Sequence, residues 1–141
     1  MTTPVQQDAT GRYLPVMHPE EQPYWDAARR HELVLPKCDS CGKVYYPVGP
    51  VCPNCLSSHF SWAPMSGLGT VSSFVVYHKP WAPWLKPRVP YVVAQVELAE
   101  GPRLTTNLLD IAPGDVRAGM AVQVAYETLT EEVTLVQFRP V

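Results

Sequence analysis

The chain has 141 residues, enough for one ordinary domain or a small domain with an appendage. Its formal net charge of −2 gives no global attraction to nucleic acid or to anionic membrane surfaces. No run of eighteen apolar residues exists, so the sequence predicts no membrane-spanning helix.

In chain order, residues 1–17 read as an extended, weakly ordered arm. Met1 to Arg12 is polar and lacks the apolar stretch of a secretory signal, which points to a cytoplasmic protein. Gln22 to His31 reads as a short helix. Pro23 suits its first turn, and Arg29, Arg30 and His31 suit the negative end of its dipole. Tyr24, Ala27, Ala28 and His31 would share one face, with Trp25 about 100° round from Tyr24.

All four cysteines follow within eighteen residues, as Cys38-x-x-Cys41 and Cys52-x-x-Cys55, separated by ten residues. Each C-x-x-C turn presents two sulfurs to one side. Two such turns facing each other make a closed tetrathiolate site, the usual arrangement for structural zinc. A disulfide within a C-x-x-C is strained outside redox enzymes, and a thioredoxin-type site would use one pair at a helix start. Iron of the rubredoxin kind shares the spacing, but zinc is preferred. Four thiolates leave no open coordination position, so the metal is expected to be structural. Helix and ribbon together are assigned to residues 18–66. The ribbon has too few apolar residues for its own core, and the metal is expected to supply about 10–16 kcal/mol toward its folding.

From Gly67 the pattern changes to period two. Strands are predicted over Gly67–Tyr77, Tyr91–Leu98, Arg103–Leu108, Val122–Tyr126 and Val133–Phe138. Ala112–Met120 reads as one helical turn ended by Gly119. Five strands with a helical turn between the third and fourth are the parts of an OB-fold barrel over residues 67–141, and closure removes exposed sheet edges. An open sheet or small sandwich is the alternative. The predicted fold is mainly β: an N-terminal helix, a rubredoxin-like zinc ribbon, then a five-stranded OB-fold barrel. Sixteen prolines spread without a repeat fit many loops and strand ends.

The segment Tyr77–Tyr91 joins the first two strands. It holds four internal prolines, Trp81 and Trp84, and the cations Lys79, Lys86 and Arg88, with no acidic residue. A long, proline-stiffened loop of this kind points to ligand or partner binding. The competing reading is that its tryptophans cap one end of the barrel. No motif for independent catalysis is present: no G-x-S-x-G, no H-E-x-x-H and no P-loop. His18, His31, His59 and His78 are scattered and read as surface or packing residues.

The succession Tyr24-Trp25, Leu33-Val34-Leu35-Pro36-Lys37-Cys38-x-x-Cys41-Gly42, Pro47, Cys52-Pro53-x-Cys55, Gly67-x-Gly69-x-Val71, Pro90-Tyr91-x-Val93-Ala94-x-Val96-x-Leu98 and Gly119-Met120-x-Val122-x-Val124 resembles the zinc-ribbon/OB-fold proteins catalogued as a domain of unknown function and often encoded beside thiolases and lipid-transfer-type thiolase homologues. The resemblance covers about residues 15–140. It implies a non-catalytic subunit in a hetero-oligomer with a thiolase-fold or lipid-transfer-type enzyme, such as a thiolase or retro-aldolase. Its OB domain would help to enclose a coenzyme A thioester. The alternative for an OB fold with a basic, aromatic loop is single-stranded nucleic-acid binding. The acidic Glu97, Glu100, Glu127, Glu131 and Glu132 weigh against it.

Overall fold

The structure, a computed structural model, describes residues 4–141. Helix α1 spans Gln22–Arg29, and seven strands follow: β1 Val34–Cys38, β2 Phe60–Pro64, β3 Leu68–Tyr77, β4 Tyr91–Leu98, β5 Arg103–Asn107, β6 Ala121–Thr128 and β7 Thr134–Pro140. The five strands predicted from alternation are present as β3–β7, each within two residues at either end.

α1 buries Trp25 together with Ala27 and Ala28. Trp25 is therefore part of the packed face, with its indole N–H donating to Glu21 at 3.2 Å, while Tyr24 meets it edge-on at 5.2 Å. The helix ends before the predicted His31. The His31 N–H donates to the Ala28 carbonyl and the Glu32 N–H to the Ala27 carbonyl, both at 2.9 Å. With His31 at φ +58°, this is a Schellman termination built on a non-glycine residue. The imidazole stacks on Tyr126 of β6 at 4.8 Å and 10°, a contact that offsets the cost of the left-handed backbone.

β1 and β2 form an antiparallel ribbon from Val34↔Pro64 to Cys38↔Phe60. The other strands form one antiparallel sheet in the order β5-β4-β3-β6-β7. It curls until β5 meets β7: Leu108 bridges Phe138 in parallel, and the Leu109 N–H donates to the Phe138 carbonyl at 2.8 Å. This is a nearly closed OB-like barrel, so the open-sheet alternative falls. Closing demands that β3 pass close to both neighbours. At Gly69 a Cβ would sit 2.6 Å from the Glu97 carbonyl oxygen, and β3 bulges between Val71 and Ser73.

The core contains Val71, Val92, Ala94, Val96, Leu98, Leu104, Val116, Val122 and Phe138. Leu33 and Leu35 from the ribbon side belong to the same cluster. The boundary at residues 66 and 67 thus separates two sheets, but one apolar core runs across it. Cys38, Tyr45, Cys52 and Phe60 form a separate small cluster around the cysteines.

One local expectation is corrected. The helical turn before β6 covers only Pro113–Asp115 and ends at extended, buried Val116. Gly119, at φ +87°, instead turns the chain into β6 and donates its N–H to the Val71 carbonyl at 2.7 Å. The described part of the arm makes specific contacts. Residues 1–3 lie outside the described residues. Beyond them Gln7 bridges Tyr13, and the Asp8 carboxylate accepts from the Thr10 hydroxyl and the Arg12 N–H. The Thr10 hydroxyl is the main influence holding the Asp8 carboxyl below its ordinary value.

Candidate functional site

The two C-x-x-C turns lie at the end of the β1–β2 ribbon and face each other. Cys38 Sγ is 3.5 Å from Cys55 Sγ, Cys41 Sγ is 3.7 Å from Cys52 Sγ, and all four sulfurs lie within 4.8 Å of one another. Four sulfurs placed about 2.3 Å from a central zinc ion would be about 3.8 Å apart, whereas a disulfide requires about 2.05 Å. The donor set therefore fits a tetrahedral tetrathiolate ion and not a pair of disulfides. Local groups favour the thiolate at Cys41 and Cys38. At Cys55 the lowering influence of the Ser57 N–H is outweighed by the hydrogen bond with Cys38 and by burial, which push that thiol up to about 11. Asn54 donates its backbone N–H to Cys52 Sγ at 3.4 Å and its side-chain amide to Cys41 Sγ at 3.5 Å. The Asn54 amide, followed by the Lys43 N–H, pulls the Cys41 thiol down to about 6. The Cys41 N–H is the main influence lowering Cys38.

A second constellation joins the arm, the β3–β4 loop and the barrel. Glu127 on β6 accepts from Arg12 Nη1 at 2.9 Å and Arg88 Nη1 at 3.1 Å, both on one oxygen. Its other oxygen accepts from Gln137 Nε2 at 3.2 Å. Gln137 is buried on β7, and its side-chain oxygen accepts from the Thr106 hydroxyl and the Asn107 N–H, each at 3.0 Å. This chain of bonds sews the β5–β7 seam and continues to the arm. Burial tends to raise the Glu127 carboxyl, but Arg12, then Arg88, outweigh it and hold it below its ordinary value. The Arg12 and Arg88 guanidiniums both lie on the Trp84 ring, 4.5 and 5.5 Å from its centroid.

The predicted loop residues therefore divide. Trp84 and Arg88 are engaged with the scaffold, and Trp84 is half-buried with both guanidiniums against its ring. Trp81 is 65% exposed and carries the Lys79 ammonium over its ring at 4.2 Å. Lys86 is exposed and makes no ion pair among the described residues. Sequence reasoning missed Arg12 and Glu127. A lone arginine in a polar arm and a glutamate on an alternating strand carry no local signal, because the fold brings them together across 115 positions.

Trp84, Arg88, Glu127 and Arg12 form part of the wall of a cavity of about 460 Å3 at one end of the barrel. Among the described residues no helix is long and apolar enough to cross a membrane. On the outer strand β5, Arg103 pairs with Glu97 at 3.5 Å.

Comparison with known proteins matches two family models in succession: the ChsH2 rubredoxin-like zinc ribbon domain over residues 25–61, and the ChsH2 C-terminal OB-fold domain over residues 62–127. A DUF35 domain-containing scaffold protein of Methanocaldococcus jannaschii is 36% identical over 73% of each chain. A probable enoyl-CoA hydratase alpha subunit of Thermomonospora curvata is 39% identical over 92% of this chain, which spans 40% of that protein's length. A 3-oxo-4,17-pregnadiene-20-carboxyl-CoA hydratase alpha subunit of Mycobacterium tuberculosis is 37% identical over 73% of this chain and 32% of its own length. Among solved structures, a chain of the Ltp2-ChsH2(DUF35) aldolase superposes with a TM-score of 0.81 at 38% identity, covering 90% of this chain and 98% of that one. A DUF35 protein of unknown function from Sulfolobus solfataricus, at 13% identity and a TM-score of 0.61, shares the fold. With its four-cysteine ribbon, its barrel and these relatives, the chain belongs to the DUF35 family of ChsH2-type zinc-ribbon/OB-fold proteins.

Proposed function

We propose that this chain is a non-catalytic partner subunit of a thiolase-superfamily enzyme that acts on an acyl-CoA, in the cytoplasm. The observation that carries the reading is the likeness, over nearly the whole of its length, to a chain of the Ltp2-ChsH2(DUF35) aldolase. The hydratase alpha subunits among its relatives carry CoA-thioester names, which supports a role in the same chemistry. In this reading Cys38, Cys41, Cys52 and Cys55 hold one structural zinc ion, which ties the ribbon together and, being saturated, takes no part in turnover. All four thiols are then committed, and the enzyme partner supplies the nucleophile or base.

Trp81, backed by Lys79, is the exposed anchor of the loop. Large aromatics of this kind dominate binding energy when a partner buries them. Lys86 and Lys79 are the cations left for CoA phosphates or an acidic partner rim. Arg88 is already shared between Glu127 and Trp84.

The test is co-expression with thiolase-fold proteins encoded nearby, followed by affinity purification and assay of thioester cleavage. A stable complex whose turnover depends on this chain is the expected result. Absence of any thiolase-fold partner, together with sub-micromolar and steeply salt-dependent binding to single-stranded DNA or RNA, would overturn the proposal.

A further inference from the structure

Closing the barrel leaves one stretch of strand edge without a neighbour. β6 pairs with β3 only over Leu68–Thr70, and Val71 completes that side through the Met120 carbonyl and the Gly119 N–H. From Ser73 to Tyr77 only β4 runs beside β3. The register shows which groups are left open. On β4, Leu98 donates to the Pro102 carbonyl and accepts from the Gly101 N–H. With period two, Val96, Ala94 and Val92 therefore also turn their backbone groups toward β5. The Asn107 amide, donating to the Val92 carbonyl at 2.9 Å, agrees with this. Gln95, Val93 and Tyr91 then bond across to Ser73, Val75 and Tyr77. Phe74 and Val76 turn their N–H and C=O groups the other way, where they have no hydrogen-bond partner among the described residues. Their side chains pack against the core, which fixes the edge in place.

Such an edge is a template for one more strand. Charges and prolines usually block strand addition, and β3 carries neither; its one bulge precedes the open stretch. The outer face is apolar. Val75 is 53% exposed, and the exposed Tyr77 is stacked on Tyr91 at 5.2 Å and 12°. The C-terminal end of the edge is basic. His78 and Lys79 follow Tyr77, Lys79 makes no ion pair among the described residues, and the sequence holds no acidic residue between Asp39 and Glu97.

We propose that the open edge of β3 docks an extended segment of a protein partner as a further antiparallel strand, with acidic residues at the segment's N-terminal end beside Lys79. Antiparallel pairing opposite Phe74 and Val76 satisfies the open groups of both and sets apolar partner side chains beside Val75 and Tyr77. The inference rests on the chain being a partner subunit, but not on which enzyme it joins.

The test uses the full zinc-loaded chain and the peptide acetyl-Asp-Asp-Val-Thr-Val-Thr-amide, with acetyl-Lys-Lys-Val-Thr-Val-Thr-amide as its counterpart. Amide hydrogen exchange is read residue by residue by NMR. In the free chain Phe74 and Val76 should exchange at least tenfold faster than Val75 between them. The acidic peptide is expected to bind with a Kd on the order of 1 mM and, at five times that concentration, to slow those two amides about sixfold. The basic peptide should bind at least fivefold more weakly. Lys79 is exposed and lies over the Trp81 ring, so Lys79→Glu should fold normally and reverse the preference between the peptides. Equal protection of Phe74, Val75 and Val76 in the free chain would overturn the assignment. So would equal binding of the two peptides, or no response at several times the expected Kd. Protection that rises with the chain's own concentration would give the edge to a second copy and overturn it as well. No enzyme is present in this test, so its failure leaves the proposed thiolase-fold partner untouched.

Discussion

Arg12→Ala tests the connection between arm, loop and barrel most directly. The substitution removes a charge-assisted hydrogen bond at 2.9 Å, worth about 1.5–3 kcal/mol when partly buried, and a guanidinium stacked on Trp84, worth about 1 kcal/mol. The Glu127 carboxylate is not orphaned, because Arg88 and Gln137 remain bonded to it, so the large penalty of an unpaired buried charge does not apply. Arg88 already donates to the same oxygen and keeps it paired. A net loss of about 2–3 kcal/mol follows. For a chain of this size each kcal/mol moves Tm by roughly 3–4 °C, so the melting temperature of the zinc-loaded protein should fall by about 8 °C at pH 7. Circular dichroism melts of Arg12→Ala, Glu127→Gln and the double variant complete the cycle, with a coupling of about 1.5 kcal/mol expected. Arg12→Lys should fall between, since it keeps charge and loses the planar stack. A fall of less than 2 °C for Arg12→Ala, or strict additivity in the double variant, would show that the arm is not held in this way.

Cys55→Ser should abolish the single equivalent of zinc and melt the ribbon. Because Leu33 and Leu35 lie in the barrel core, the barrel should also lose stability while keeping its strands, which metal analysis and circular dichroism will read together. Among the described residues the buried Tyr45 hydroxyl has no hydrogen-bond partner, so Tyr45→Phe should leave stability unchanged or raise it by about 1 kcal/mol; a comparable loss would show that the hydroxyl is bonded. Glu127 is held below its ordinary value in the fold, so its contribution is present above about pH 4.3 and is lost as pH falls through the folded value. The acid limb of the stability curve should therefore be shallower in Glu127→Gln. Trp81→Ala should leave Tm within about 1 °C and weaken partner binding roughly thirtyfold, whereas Trp84→Ala should lower Tm first.

The ribbon and barrel were legible because their signals are local. Cysteine spacing and the alternation of Val92, Ala94, Val96 and Leu98 state which groups share a side, and the structure buries those four together. Element ends were less legible. His31 has no helix-breaking chemistry of its own, and it terminates α1 because Tyr126, ninety-five positions away, offers a ring to stack on. Gly119 carried a correct signal for positive φ, but nothing local says whether such a glycine ends a helix or opens a strand. The contacts of the arm were illegible for the same reason. Its polar composition suggests loose chain, yet a single arginine with a buried carboxylate partner is enough to dock it.

The division within the β3–β4 loop bears on how a partner would sense the barrel's interior. Trp81 and Trp84 are three residues apart, one exposed and one half-buried against two guanidiniums, and Trp84 lies within the single turn Pro83–Leu85, whose Leu85 is buried. A partner that buries Trp81 therefore pulls on the same short segment that forms the cavity wall. The wall is itself fixed by Glu127, through Arg88 from the loop and Arg12 from the arm. A displacement at Trp81 that carries Arg88 with it strains its pair with Glu127, which Glu127 also shares with Arg12, the Arg12 pair nearly buried and the Arg88 pair half-exposed. The half-exposed Arg88 pair is the weaker, since solvent screens it. Coupling between partner and cavity should therefore run through Arg88, while Arg12 stays in place and keeps the arm closed.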